Sequence, residues 1–308
     1  MAKKYDVIVI GAGPGGLTAG LYASRANLSV LILDRGIYGG QMNNTAEVEN
    51  YPGFKSILGP DLAEKMYQGA TQFGAEYAYG SVEKVEVNGD LKQVITDSET
   101  YEAPVVIIAT GSQYRKLGVK GEAEYAGRGV SYCAVCDGAF FKDQPLAVIG
   151  GGDSAVEEGV YLAKLASNVN IIHRRDQLRA QKILQERAFA NDKIDFTWDT
   201  VVTKINGDGQ KVTSVSTHNK KTGEDGELKV NGVFIYVGVI PLSEPFKELG
   251  ITDEQGWIKT DELMQTSLPG VYAIGDVRAK ELRQITTAVG DGSIAGQQAF
   301  NYLESLKD

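Results

Sequence analysis

Two stretches of the chain carry the same order of apolar and polar positions. Residues 7–35 read VIVIGAGPGGLTAGLYASRANLSVLILDR, and residues 146–175 read LAVIGGGDSAVEEGVYLAKLASNVNIIHRR. Each opens with four apolar residues in unbroken succession, as a strand buried on both faces requires. A glycine-rich turn follows, then a helical segment with small residues toward the turn, then a second apolar run. This is the pattern of a strand–helix–strand unit in a parallel sheet, and it occurs twice.

Further apolar runs extend both units. Residues 104–109 predict a strand running into Thr110 and Gly111, and a polar stretch follows to about residue 130. Residues 271–274 predict another strand closing on Gly275 and Asp276, with a Gly/Ala-rich helix over 286–303. After residue 200, the segments VVTKI, KVTSVSTH, ELKV and GVFIYVG alternate enough to predict a small β-layer around the second unit. The expected fold is α/β, with two Rossmann-like, three-layer dinucleotide-binding domains, the second inserted in the first. The discontinuous first domain spans 1–115 plus 246–308, and the insert spans 116–245.

Both glycine turns have the spacing that nucleotide phosphates need. In GAGPGG, Gly11 permits a tight turn, Gly13 lets a pyrophosphate approach the backbone, and Gly16 lets helix and strand pack closely, with Pro14 opening the helix. Asp34 follows about 20 residues on, where a carboxylate accepts bonds from ribose hydroxyls. The motif alone does not separate FAD from NAD. Gly275 and Asp276 favour FAD, since a carboxylate there can hold a ribityl hydroxyl. The second turn carries Gly150, Gly152, Asp153, Ser154 and Ala155 as G-x-G-x-x-A. Its second strand ends in His173, Arg174 and Arg175, with Arg179 one turn later. Guanidinium groups there clamp a 2′-phosphate that a carboxylate would repel, which selects NADPH. A solvated basic helix start would explain these charges but not their register against the glycines. Glu157 and Glu158 suit the dipole of the intervening helix, with Glu157 a further cofactor contact, and His173 reads as an adenosine-side contact.

Chain length and charge narrow the class. The 308 residues suffice for two domains of about 150 each. The net charge of −9 argues against nucleic acid or anionic membrane as a main partner. No apolar stretch approaches the ~18 residues of a membrane span, and the one after the first lysines is too short for a signal segment, so a cytoplasmic location is expected.

In that compartment the two cysteines of CAVCDG, Cys133 and Cys136, have four readings: a structural disulfide, a zinc site, two buried thiols, or a dithiol–disulfide couple. Reducing conditions disfavour the first. Two cysteines and two histidines leave a zinc shell poorly filled, so no metal is expected. The redox couple is the reading carried forward. Asp137 beside it is a candidate proton donor and acceptor, or alternatively a turn residue before Gly138.

Taken together, GAGPGG, GGQ at 39–41, EVENYPG from Glu47, ATG at 109–111, CAVCDG, GGGDSAVEE, HRRDQLRA and AIGDVR with its later RQ resemble the low-molecular-weight, bacterial-type thioredoxin reductases, class II pyridine nucleotide-disulfide oxidoreductases. The resemblance runs over nearly the whole chain, and CAVCDG placed just before the second glycine turn is its most specific part. It implies FAD held by Asp34, Arg35, Gly40, Gln41, Asn50, Ala109, Thr110, Gly111, Asp276, Arg283, Gln284 and Ile285. Read without it, Asn50 is a turn residue. It also implies NADPH as donor, thioredoxin as acceptor and a homodimer. Leu242 and Ser243 depart from the Asn-Thr that such proteins more often carry after Pro241. Because the pair and the NADPH turn share one domain and both must reach one flavin, the insert is expected to swing about linkers near 111–120 and 239–247. A dithiol oxidase, a peroxiredoxin reductase, a glutathione-reductase-type enzyme and a non-catalytic redox sensor are the rival readings. The intact arginines, the absence of room for an appended domain and the close cysteine spacing disfavour the first three.

Overall fold

The strands Val7–Ile10 and Pro145–Gly150 each sit at the centre of a five-stranded parallel sheet. A computed structural model describes residues 2–45 and 47–307. The chain divides into two compact units, Met1–Gln113 with Ile240–Asp308, and Tyr114–Val239.

In the first unit the sheet order is Val271–Ala273, Val105–Ile108, Val7–Ile10, Val30–Asp34, Glu76–Tyr79, every pair parallel. Alternate side chains feed opposite faces. Val7, Val9, Val30, Ile32, Val105 and Ile107 pack toward the helices Pro14–Arg25 and Ile285–Ser305. Ile8, Ile10, Leu31, Leu33, Val106 and Ile108 pack toward a second sheet containing Val82–Asn88, Leu91–Thr96 and Thr100–Ala103. The result is three layers with two cores, which accounts for the unbroken apolar runs.

The second unit repeats the plan, with the order Val130–Ser131, Gly232–Tyr236, Pro145–Gly150, Asn168–Ile172, Ile194–Thr197. The helix Asp153–Ala163 covers one face, and the antiparallel strands Thr200–Gly207, Val212–Asn219 and Asp225–Lys229 contribute to the core on the other. GVFIYVG corrects the expected β-layer. Its strand Gly232–Tyr236 joins the parallel sheet, because all five residues are buried and a half-solvated layer would expose alternate ones.

The segments joining the units, Ser112–Tyr114 and Val239–Pro241, pair with each other as a two-stranded ribbon. Gly111 and Gly238 flank it with φ of +70° and +114°, conformations that side chains with a Cβ rarely adopt. Among the described residues no helix is long and apolar enough to cross a membrane.

Candidate functional site

The first glycine turn is held by what surrounds it. Gly11 takes φ +111°, and a Cβ there would strike the Ala109 carbonyl; a Cβ on Gly16 would strike the carbonyl of Gly11. Both residues are therefore fixed by packing. Gly13 differs, because a Cβ placed on it meets nothing within 4 Å. The fold leaves Gly13 small without needing to, as expected where a phosphate group lies against the backbone. The Asp34 carboxylate accepts the Ala12 N–H at 2.6 Å and the Gly36 N–H at 2.9 Å, so it braces the turn from the end of its strand, with Arg35 exposed beside it.

Segments remote in sequence converge on this turn. The Gly39 N–H donates to the Ala12 carbonyl at 2.8 Å, and Gly40, at φ +55°, lies against Gly13. Met42, Val48, Tyr51 and Ile285 share one small apolar cluster. The Asn50 amide donates to the Gln284 side chain at 3.0 Å, across 234 positions. Gln284 caps the helix Ile285–Ser305, which packs on Pro14–Arg25 so closely that a Cβ on Gly292 would strike the Gly15 carbonyl. Gln41 donates to the Ser112 carbonyl at 3.2 Å, and the Thr110 hydroxyl donates to the Leu242 carbonyl at 2.7 Å. Leu242 thus engages through its backbone, so the departure noted there keeps these bonds.

Gly275 and Asp276 stand at the edge of this assembly. The Gly275 N–H donates to buried Asp291, which also pairs with Arg278 at 3.0 Å and Lys280 at 2.8 Å. The Asp276 carboxyl has no hydrogen-bond donor among the described residues, and burial raises its pKa, opposed by Lys280 and Arg283. Arg283 stacks its guanidinium 3.8 Å from the Trp257 ring centre. Asp291 and Lys280 were not singled out in the sequence, and Arg278 only within AIGDVR; the signal for Asp291 was a charged residue among the small residues of the helix Ile285–Ser305.

In the second unit, Gly150 takes φ +151° and a Cβ there would strike the Tyr236 carbonyl and the Ala155 side chain, while a Cβ on Gly152 meets nothing within 4 Å. The open position is again the middle glycine. His173 packs its ring on Gly151 and bonds the Gly150 backbone, and its Nε2 is buried with no partner among the described residues. Burial first, then Arg179, Arg175 and Arg174, push its pKa below the usual histidine range, so the imidazole is neutral. The Arg179 N–H donates to the Gly151 carbonyl at 2.7 Å, tying the arginine segment to the turn. Arg174, Arg175 and Arg179 are exposed, and no ion pair holds them among the described residues. Asp153 is spent locally, accepting from the Gln181 backbone at 2.8 Å and its side chain at 3.0 Å. Ser154 and Glu157 are exposed at the helix start, whereas Glu158 is buried.

The cysteines form a disulfide, with Cα atoms 5.4 Å apart. Cys133 precedes the short helix Ala134–Asp137, and its Sγ accepts the Cys136 N–H at 3.1 Å. Ser131 braces the turn by accepting the Cys133 N–H at 3.0 Å, and the Tyr236 hydroxyl accepts the Ala134 N–H at 3.1 Å. Cys136 is the more exposed cysteine, and Asp137 is half-buried.

The donor set suits two nucleotides: each turn has an open middle glycine, one with a carboxyl nearby and one with three guanidinium groups and an imidazole nitrogen, none of which has a hydrogen-bond or ion-pair partner among the described residues. Residues 5–292 match the family described as pyridine nucleotide-disulphide oxidoreductase. The thioredoxin reductase of Listeria innocua is 62% identical over 99% of this chain and 96% of its own, and that of Bacillus subtilis is 58% identical over 99% and 97%. Among solved structures, thioredoxin reductase from Lactococcus lactis, 54% identical, superposes with a TM-score of 0.97 over 98% of this chain and 99% of that one. The protein from T. acidophilum, 38% identical, gives 0.94 over 99% of each. Turns, disulfide and relatives concur: the chain belongs to the pyridine nucleotide-disulphide oxidoreductase family.

Proposed function

We propose that the chain reduces the disulfide of thioredoxin at the expense of NADPH, through bound FAD and the Cys133–Cys136 pair. The observation that carries this reading is a disulfide built into the same unit as a glycine turn with unpaired arginines, in a chain that has a second, carboxylate-braced glycine turn. The bound cofactors supply hydride and two-electron chemistry. The first turn, with Asp34, Gly40, Gln41, Asn50, Asp276, Arg283, Gln284 and Ile285, holds FAD. Gly150, Gly152, His173, Arg174, Arg175 and Arg179 hold NADPH, with the guanidinium groups on the 2′-phosphate.

The chain's own chemistry is disulfide exchange. In the reduced pair, the Cys136 N–H on Cys133 Sγ stabilises a thiolate there, which makes Cys133 the attacking sulfur. It bonds to one sulfur of the partner's disulfide and displaces the other as thiolate. Cys136 then attacks the mixed disulfide, restores the pair and frees the second partner sulfur. Asp137 holds the proton that Cys136 gives up. The ribbon joining the units, with its two positive-φ glycines, acts as the hinge on which the insert turns.

The protein works in the cytoplasm, as a homodimer. A dithiol oxidase has no use for Arg174, Arg175 and Arg179. The test is stopped-flow mixing with NADPH, then oxidised thioredoxin. Flavin absorbance should bleach and return only with the acceptor, while Cys133→Ser and Cys136→Ser should bleach yet fail to turn over thioredoxin. Cys136→Ser should trap a mixed disulfide through Cys133. A colourless holoprotein, or turnover by either serine variant, overturns the reading.

A further inference from the structure

Three tyrosines from three separate elements meet beside the segment that follows Asp34. Tyr38 lies in that segment, Tyr67 in the helix Gly59–Thr71 and Tyr77 in the strand Glu76–Tyr79. The rings of Tyr38 and Tyr67 stack, with centroids 3.9 Å apart and planes 6° from parallel. Tyr77 stands edge-on to both, at 6.1 Å from Tyr38 and 5.7 Å from Tyr67. All three are half-buried at the margin of one core cluster.

The rings act on a stretch that has little else to hold it. Arg35, Gly36 and Ile37 are exposed, and Gly36 lacks the side chain that would narrow its conformations. The Tyr77 hydroxyl donates to the Gly36 carbonyl, while the Gly36 N–H donates to Asp34 at 2.9 Å. The Tyr38 hydroxyl donates to Glu64, one helical turn before Tyr67. The Tyr38 carbonyl accepts the Asn43 amide at 2.7 Å, and a Cβ on Gly39 would lie 2.5 Å from that of Ala63. One face of the helix Gly59–Thr71, through Ala63, Glu64 and Tyr67, thus grips the segment, and the neighbouring strand holds Gly36.

The position of this stretch gives the arrangement its use. It runs from Asp34, the acidic residue that in such a unit meets the adenosine ribose, to Gly40, which lies against the middle glycine of the phosphate turn. We propose that Tyr38, Tyr67 and Tyr77 are positioning residues for FAD, fixing residues 35–39 in the shape that receives the adenosine half of the dinucleotide. A flavin mononucleotide lacks that half and gains nothing from the clamp, so the three tyrosines set the preference for FAD over FMN. The hydroxyl bonds of Tyr38 and Tyr77 end on Glu64 and on the exposed segment, outside the core, where phenylalanine would serve packing equally well. Aromatic pairs and bonded hydroxyls of this kind each contribute about two- to tenfold in an equilibrium constant.

The inference rests on FAD binding as proposed above. In the test, holoenzyme is equilibrated with FAD and an excess of FMN, and the bound flavins are separated by chromatography and counted. Relative to wild type, Tyr67→Leu should shift the preference toward FMN by about five- to tenfold, and Tyr77→Phe by about threefold. Tyr67→Phe keeps the stack, and its preference should match wild type. A fault in folding weakens both flavins alike and leaves the ratio where it was. An unchanged ratio in Tyr67→Leu or in Tyr77→Phe overturns the proposal, as does an equal shift in Tyr67→Phe and Tyr67→Leu. Should Tyr67→Leu fail to fold, Tyr77→Phe, which loses one oxygen, decides alone. Should FMN displace no FAD from any of the proteins, the rate at which FAD leaves diluted holoenzyme decides. Release about threefold or more faster from Tyr77→Phe than from wild type supports the clamp, and equal rates overturn it. A wild type that holds neither flavin sinks the parent reading and this one with it; FAD held with a preference that the substitutions do not move sinks this one alone.

Discussion

Asp34 and His173 occupy the same register position in the two units. Each follows the residue paired with the last apolar residue before its glycine turn, Leu33 with Ile10 in one and Ile172 with Ile149 in the other. Asp34 spends its carboxylate on the turn's backbone, whereas His173 lays its ring on the turn and leaves Nε2 unbonded. One scaffold thus presents a negative group in the first unit and a neutral ring followed by three guanidinium groups in the second. Charge-assisted bonds contribute about 1.5–3 kcal/mol each. Arg174→Ala with Arg179→Ala should therefore raise KM for NADPH by at least about tenfold and leave KM for NADH nearly unchanged. Steady-state kinetics with both nucleotides checks this; equal losses for the two would remove the arginines from 2′-phosphate recognition.

The middle glycines separate cofactor contact from folding. A methyl on Gly13 or Gly152 meets no protein atom within 4 Å, so neither Gly13→Ala nor Gly152→Ala should lower stability by more than about 1 kcal/mol. Gly13→Ala should lose flavin, seen as a lower flavin-to-protein ratio. Gly152→Ala should keep its flavin and show a raised KM for NADPH. By contrast, Gly16→Ala must push against the Gly11 carbonyl and should impair folding itself. If Gly13→Ala retains full flavin, the pyrophosphate lies elsewhere.

The central strands and both turns were legible because burial on two faces leaves no polar position inside a strand, and because only glycine fits where Gly11 and Gly150 turn. The sequence pattern misassigned Gly232–Tyr236, since a short apolar run does not say which sheet it enters. The bond between Asn50 and Gln284 could not be read locally, because nothing in either segment encodes a partner 234 positions away.

Burial of Glu158 should appear in the pH dependence of stability. Its carboxyl titrates near about 8 in the folded protein, above the ordinary glutamate value. Between those two values the folded state binds the extra proton, so this residue's contribution is fully present below the ordinary value and is lost as pH rises toward 8. Glu158→Gln removes that dependence. Urea unfolding at about pH 5 and about pH 8.5 should show the wild type losing more stability than the variant, by on the order of a few kcal/mol. An identical loss in both proteins would mean that Glu158 is already ionised at the lower pH.

Lys92 is a separate structural liability, fully buried and carried by the unit that does not hold the cysteines. Its ammonium donates to the Pro104 carbonyl at 2.8 Å and the Asp90 carbonyl at 3.1 Å, and lies 5.3 Å from the centre of the Tyr302 ring. It therefore ties the strand Leu91–Thr96 to the start of a central strand and to the C-terminal helix. Burial lowers its pKa, yet two carbonyls and an aromatic face compensate the charge. Lys92→Met keeps the stem but strands both carbonyls, at about 1–3 kcal/mol each where they stay dry. Lys92→Ala adds the cavity and should be worse. The urea midpoint of flavin-loaded protein should fall in the order wild type, Lys92→Met, Lys92→Ala, while the reduction constant of the Cys133–Cys136 pair in the folded protein stays unchanged. A methionine variant as stable as wild type would show that shape, and not the bonded ammonium, is what this position requires.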